Sequence, residues 1–253
     1  MRALILLLLS LVLPVSSFAA HAAPVKDDLS LIELPVKQPS DTPMVIFLSG
    51  DGGWAALDKG LSAQFQLNGM PVVGWSSLTY YWKKKTPEQV TADLERILDD
   101  YQARWQRPHW LVVGFSFGAE IAPFVINRLP EHYRQGLVGA VMLSPSTSSD
   151  FEIHVSDMLT HKARSYPTEP QVKTIRDLPM LCLQGADDDD GDRLCPRLNQ
   201  PNVTTVTLPG GHHFDDNYPQ LYQAITGTLT PKGLWEIYRP TPTQNRRCHP
   251  SSS

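Results

Sequence analysis

The sequence predicts an α/β fold with a mostly parallel central sheet and helices on both faces. Two features carry that expectation. Short apolar runs of strand length alternate with longer segments whose apolar residues recur at helical spacing, the pattern of successive β–α–β units. One of those runs also passes through a Gly-x-Ser-x-Gly turn directly into a helical segment, which sets a serine at the carboxyl edge of such a sheet. The chain has 253 residues, 42% of them hydrophobic, enough for one core of this kind. A formal net charge of −4 leaves no broad basic field, so nucleic acid is not an expected partner.

The first residues stand apart from the fold. Residues 1–22 hold one basic residue, an apolar run from Ala3 to Leu13 and then small residues ending in Ala20-His21-Ala22. This is the pattern of a secretory signal peptide cut after Ala22, and the apolar run is too short to span a bilayer as a helix. Residues 23–42 are read as an N-terminal extension, 43–230 as the catalytic-type domain and 231–253 as a C-terminal tail.

Residues 43–49 (PMVIFLS) are continuously apolar, as a parallel strand buried on both faces should be. Residues 54–69 read as a helix stopped by Gly69, and 71–75 (PVVGW) as a second strand. At Thr86-Pro87-Glu88-Gln89 a helix opens: Thr86 can cap, Pro87 suits the first turn and Gln89 completes a capping box. Val90, Leu94, Ile97, Leu98, Tyr101 and Trp105 then give it one apolar face. Residues 109–114 (HWLVVG) are the third strand, followed by a helix over 118–129 in which Pro123 is expected to introduce a kink. Further strands are expected at 137–144, 179–185 and 203–210. Between two of these, residues 145–178 are weakly patterned and read as a small, partly helical cap.

The chain has three cysteines. Cys182 and Cys195 flank a run of aspartates, and a disulfide between them suits an exported protein. Cys248, in the tail, could be free or pair with either. No CxxC or HxxxH spacing supports a zinc site.

The chemistry gathers at the ends of the expected strands. Gly114-Phe115-Ser116-Phe117-Gly118, after an apolar strand and before a helix, has the context of a nucleophile elbow. Its turn is so tight that side chains at 114 and 118 would meet neighbouring backbone, and the helix amino end favours developing negative charge. That order of elements is the α/β-hydrolase fold, in which an acid and then a histidine follow the serine. The acid belongs after a late strand, where Leu183–Asp192 reads LQGADDDDGD. Spacing from Gly185 selects Asp188, with Asp187 as the alternative, the remaining aspartates reading as a solvated loop. A calcium loop aligned on Gly191 would put Ala186 at position one and Arg197 at position twelve, where carboxylates are needed. The oxyanion hole needs two backbone N–H groups. Phe117 supplies one; Asp51, in LSGDGGW (48–54), is the expected second, with Gly50, Gly52 and Gly53 allowing close approach. The same loop lacks the Lys-Ser/Thr ending of a phosphate-binding loop. The histidine belongs after the last strand, in LPGGHHFDDNY (208–218). The Gly-His-x-Phe spacing selects His212 and leaves His213 as a neighbour in the site wall. No metal and no organic cofactor is called for.

Four stretches together, LSGDGGW, YYWKKKTPEQ, GFSFGAEIAPFVINRLP and LPGGHHFDDNY, resemble exported bacterial virulence proteins of the VirJ type and the hydrolase-like domain of the related AcvB type, over about residues 44 to 225. This chain departs from that pattern with Phe115 where relatives tend to have tyrosine and Glu120 where they tend to have aspartate, and the family's acid loop is variable. The resemblance implies a periplasmic serine esterase acting on the aminoacyl ester of a phospholipid such as lysyl-phosphatidylglycerol. It also implies an alternative: an accessory factor of type IV secretion that binds rather than catalyses. A lysyl group brings two ammonium charges, for which Asp51, Asp150, Glu152, the aspartates at 187–190, Asp215 and Asp216 are candidate partners. Gly52, Asp150, His213 and Asp215 are the expected substrate-binding residues. YYWKKK (80–85) sets three lysines beside three aromatic rings, a composition suited to peripheral contact with an anionic membrane surface, although a solvated loop ahead of a helix reads the same way.

Overall fold

The apolar runs become the strands of one seven-stranded sheet. The structure is a computed structural model that describes residues 24–37, 41–153, 164–189 and 192–229. The expected signal peptide, the tail with Cys248, the centre of the expected cap and Asp190 lie outside the described residues. In chain order, helix α1 (Val25–Asp28) and strand β1 (Leu31–Leu34) precede β2 (Met44–Leu48), α2 (Ala56–Leu67), β3 (Val72–Trp75), α3 (Ser77–Tyr80) and α4 (Pro87–Trp105). Strand β4 (Trp110–Phe115) leads into α5 (Phe117–Ile126), followed by α6 (Glu131–Arg134) and β5 (Leu137–Leu143). Two short strands, β6 (Ser148–Ser149) and β7 (Tyr166–Pro167), pair with each other ahead of α7 (Thr168–Thr174). Strands β8 (Met180–Gly185) and β9 (Val203–Leu208) and helix α8 (Tyr218–Leu229) complete the described chain.

Across the sheet the strand order is β1-β3-β2-β4-β5-β8-β9. β1 runs antiparallel to β3, and every other pairing is parallel. Because β2, β4, β5 and β8 are covered on both faces, all their residues are buried except Val138, in keeping with their unbroken apolar sequences. Alternate side chains feed two cores. Val45, Phe47, Leu111, Val113, Leu181 and Leu183 meet α2 and α8, through Leu57, Leu61, Phe65, Leu221 and Ile225. Met44, Ile46, Trp110, Val112, Met142 and Met180 face the other way, toward α4, α5 and α7. This is the α/β-hydrolase fold.

The helix expected to open at Thr86 does so with both halves of its capping box. Gln89 N–H donates to Thr86 Oγ1 at 3.2 Å, and Thr86 N–H donates to Gln89 Oε1 at 2.9 Å. Helix α5 runs through Pro123 and ends at Ile126, short of the expected boundary at 129. Residues 31–34 fall in the segment expected as an extension, yet they form an edge strand of the main sheet, so the folded unit begins ahead of the first long apolar run. The strand escaped notice because only its first residue is fully buried, and its sequence LIEL carries a glutamate.

Register places the functional loops side by side. Leu48 pairs with Gly114, so the loop after β2 lies beside the turn after β4. Gly185 pairs with Leu208, so the loops after β8 and β9 are neighbours as well. All of them leave the carboxyl edge of the sheet, where open parallel sheets bind their ligands.

Candidate active site

Ser116 sits between β4 and α5 with φ 49° and ψ −116°, a conformation that costs a non-glycine residue about 1–3 kcal/mol. The surroundings hold it there. Ser116 N–H donates to the Leu143 carbonyl at 2.8 Å, and its own carbonyl accepts from the N–H groups of Ala119 and Glu120, closing the first turn of α5. The flanking glycines permit the turn. A Cβ on Gly118 would lie 2.2 Å from the Leu48 carbonyl oxygen, and one on Gly114 would lie 2.5 Å from that of Gly118. Phe117 is the first residue of the helix, where backbone N–H groups have no partner within the helix.

The loop after β2 is pinned from beneath. Ser49 is fully buried. Its Oγ accepts from Ser77 N–H at 2.9 Å, while Ser77 Oγ donates to the Ser49 carbonyl at 2.7 Å. Gly53 N–H closes the loop onto the Gly50 carbonyl at 3.0 Å, leaving Asp51 and Gly52 at its apex. A Cβ on Gly50 would lie 3.6 Å from Ser116 Cβ, so this loop runs beside the serine. Behind it, Asp58 accepts from Ala55 N–H at 2.9 Å, fixing the start of α2. Burial pushes the Asp58 carboxyl up to about 6, against the lowering effect of that N–H. Its Oδ1 is buried without a hydrogen-bond partner among the described residues.

The loops after β8 and β9 bring an acid to a histidine. His212 Nδ1 lies 3.2 Å from Asp188 Oδ2 and 3.3 Å from Oδ1. Asp188 is 4% exposed, and its Oδ2 also accepts from Gln184 Nε2. Ser144, left-handed at φ 47°, donates its Oγ to the His212 carbonyl at 3.2 Å. The Phe115 ring lies 5.3 Å from those of both His212 and His213, which ties the histidine loop to the serine turn. Beyond the histidines, Phe214, Asp215 and Asp216 all have φ between 50° and 56°. Left-handed backbone costs an L-residue roughly 1–2 kcal/mol. Burial of Phe214 and the hydrogen bond from Tyr218 Oη to Asp216 hold this stretch in place.

The residues proposed from sequence are not all in one place. The structure brings Asp188 to His212 and the Asp51 loop to Ser116. Asp187 is exposed, and its N–H bonds the Gly210 carbonyl. His213 is also exposed and makes ring contacts with Phe115 and His212. Asp215 folds over Gly210. Asp150 Oδ1 accepts from Ser165 N–H at 2.9 Å beside the β6–β7 pair. The sequence analysis missed Ser77, Ser144 and Gln184, because single polar residues at strand ends carry no periodic signal. Glu120, one turn beyond Ser116, is buried and accepts from Arg164 and from Ser146 N–H.

Cys182 and Cys195 form a disulfide across 13 positions, joining the middle of β8 to the far end of the Asp188 loop. Among the described residues, no group of three or more His, Cys, Asp or Glu side chains is arranged to hold a metal ion, and no helix is long and apolar enough to cross a membrane.

The sequence profile of the bacterial virulence protein family VirJ matches residues 42–232. Among curated proteins, none matches the chain. Several solved structures share the fold. The Agrobacterium tumefaciens protein ATU1826, described as a candidate α/β hydrolase of unknown function, is 17% identical, with a TM-score of 0.57 over 83% of this chain and 94% of that one. Est1E from Butyrivibrio proteoclasticus is 13% identical, with a TM-score of 0.56 over 80% and 92%. Proline iminopeptidase from Mycobacterium smegmatis is 14% identical, with a TM-score of 0.57 over 82% and 95%. At such identities the likeness concerns the fold.

Proposed function

The chain belongs to the VirJ family of bacterial virulence proteins, and from that premise we propose that it is a periplasmic serine esterase that cleaves the aminoacyl ester of an aminoacylated phospholipid such as lysyl-phosphatidylglycerol. The pairing of His212 Nδ1 with the buried Asp188 carboxylate carries this reading. A carboxylate at Nδ1 holds the proton on that nitrogen and leaves Nε2 as the basic one. In the proposed reaction Ser116 Oγ attacks the aminoacyl carbonyl and His212 Nε2 takes the hydroxyl proton. The N–H groups of Phe117 and Asp51 receive the oxyanion. His212 then returns its proton to the departing glycerol oxygen of the lipid. Water, deprotonated by the same nitrogen, then adds to the acyl carbonyl; the bond to Ser116 Oγ breaks, His212 passes the proton to that oxygen, and the amino acid leaves.

The substrate class is supported by the resemblance to AcvB-type proteins and by the carboxylates of Asp51, Asp187, Asp189 and Asp215 on loops at the carboxyl edge, suited to an ammonium-bearing acyl group. An exported location is supported by the Cys182–Cys195 disulfide, a bond that persists in oxidising compartments. The test is release of lysine from lysyl-phosphatidylglycerol by wild type and Ser116→Ala. Release by wild type alone is expected. Equal release from both, or none from a folded wild type, defeats the esterase reading for this lipid.

A further inference from the structure

We propose that Trp82, Lys83 and Lys84 form a rigid docking point for an anionic lipid bilayer, set at the rim of the Ser116 site. Trp82 is 62% exposed, while Tyr80 and Tyr81 on its amino side are buried. An outward indole is costly to keep in water and suits the headgroup level of a membrane, where Trp is enriched. Lys83 and Lys84 are exposed beside it and form no ion pair among the described residues. The nearest carboxylates along the following helix are already engaged: Glu88 with Arg128, and Asp93 with Tyr80 and Arg96.

The exposure belongs to a held conformation. On one side of Trp82 the Tyr81 carbonyl accepts from Ile153 N–H at 2.9 Å; on the other, Lys85 N–H donates to the Phe151 carbonyl at 2.8 Å. The Lys85 ammonium lies over the Tyr80 ring, 4.4 Å from its centre, and the Thr86 capping box fixes the exit into α4. The apex is therefore presented ready-made, with little ordering left to do on binding.

Its position links it to the chemistry. The Tyr81 ring packs edge-on against Phe117 at 4.9 Å, and Phe117 adjoins Ser116. A bilayer that takes up Trp82 is thus brought to the same edge of the molecule as the serine. A protein partner would need about 800 Å² of covered surface on each side, far more than these three residues offer, whereas a bilayer needs only an interfacial ring and a few cations. The purpose of the docking rests on the lipid-esterase reading; the docking itself does not.

The test uses the mature chain with Ser116→Ala, so that no turnover is involved, and sedimentation with phosphatidylglycerol or phosphatidylcholine vesicles. The protein should pellet with the first and not the second. Trp82→Ala and, separately, the double variant Lys83→Glu/Lys84→Glu should each weaken binding with unchanged thermal melts. Each lysine lost is worth roughly a fivefold drop in partitioning at low salt. Binding that is equal in the Ser116→Ala parent and both further variants, equal on the two lipids, or absent overturns the proposal. Vesicle binding by the Ser116→Ala chain, together with no lysine release by the wild-type chain, would defeat the esterase reading while leaving the docking point standing.

Discussion

Ser77 holds Ser49 at two points, through its backbone N–H to Ser49 Oγ and through its Oγ to the Ser49 carbonyl. Neither residue reaches solvent to a useful degree, so the pair acts on the loop above it, where Asp51 N–H would receive an oxyanion. Ser77→Ala strips a buried carbonyl of its donor, at a cost of about 1–3 kcal/mol in stability. We expect a lowered melting temperature and a fall of roughly tenfold in kcat on a soluble nitrophenyl ester with KM little changed, because a displaced oxyanion donor weakens the transition state and not ground-state binding.

His212→Ala should abolish nearly all turnover, and His213→Ala much less, because only His212 meets the buried carboxylate of Asp188. Asp188→Asn should cost on the order of 10⁴-fold in kcat, as loss of a tautomer-fixing acid does. Asp187→Asn, an exposed neighbour, should leave rates within a few-fold of wild type. Parallel steady-state kinetics of the four variants decide the assignment; the reverse pattern would move the base to His213.

The Cys182–Cys195 disulfide closes the loop that carries Asp188. A closed loop of this length limits the unfolded chain by about 3 kcal/mol. Replacing both cysteines with alanine should lower the melting temperature and make wild-type-like activity more heat-sensitive. Added reductant should shift the wild-type melt toward that of the variant and leave the variant unmoved.

Asp58 gives the fold a pH dependence of predictable sign. Burial raises its carboxyl to about 6 in the folded chain, above its ordinary 3.8. The neutral form is favoured by the folded state, so this residue's contribution is fully present below pH 3.8 and is lost as pH rises through 6. Asn at this position can still accept from Ala55 N–H without the charge. Asp58→Asn should therefore stabilise the protein by about 3 kcal/mol at pH 8, with the gain fading as pH falls below 6 and nearly gone by pH 3.8. Thermal melts across that range give the curve.

The sheet was legible because its central strands are buried on both faces, and their sequences are unbroken apolar runs such as Met44–Leu48 and Trp110–Phe115. The serine turn was legible because two close backbone approaches demand glycine at 114 and 118. β1 was not, since an edge strand four residues long has neither run nor strict alternation. Helix α8 carried signals that went unread: Leu221, Ile225 and Leu229 have helical spacing, Asn217 caps the first turn by accepting from Gln220 N–H at 3.2 Å, and Pro219 sits in that turn. Asp150 has a role that no spacing announces: its Oδ1 accepts from the Ser165 backbone N–H.

Besides the Asp188–His212 pair, the end of β8 and the loop after β9 approach each other backbone to backbone. A Cβ on Gly185 would fall 2.2 Å from the Gly211 carbonyl oxygen. Mutational tolerance is thereby divided within one short stretch. Ala186, Asp187 and Asp189 face solvent and can drift in sequence with little consequence for the fold, while Gly185 has no substitute and Asp188 is enclosed. A loop that looks repetitive when read as letters is, in three dimensions, one enclosed acid among solvent-facing neighbours, and diversity among those neighbours can accumulate without unfolding the strand end that carries the acid to His212.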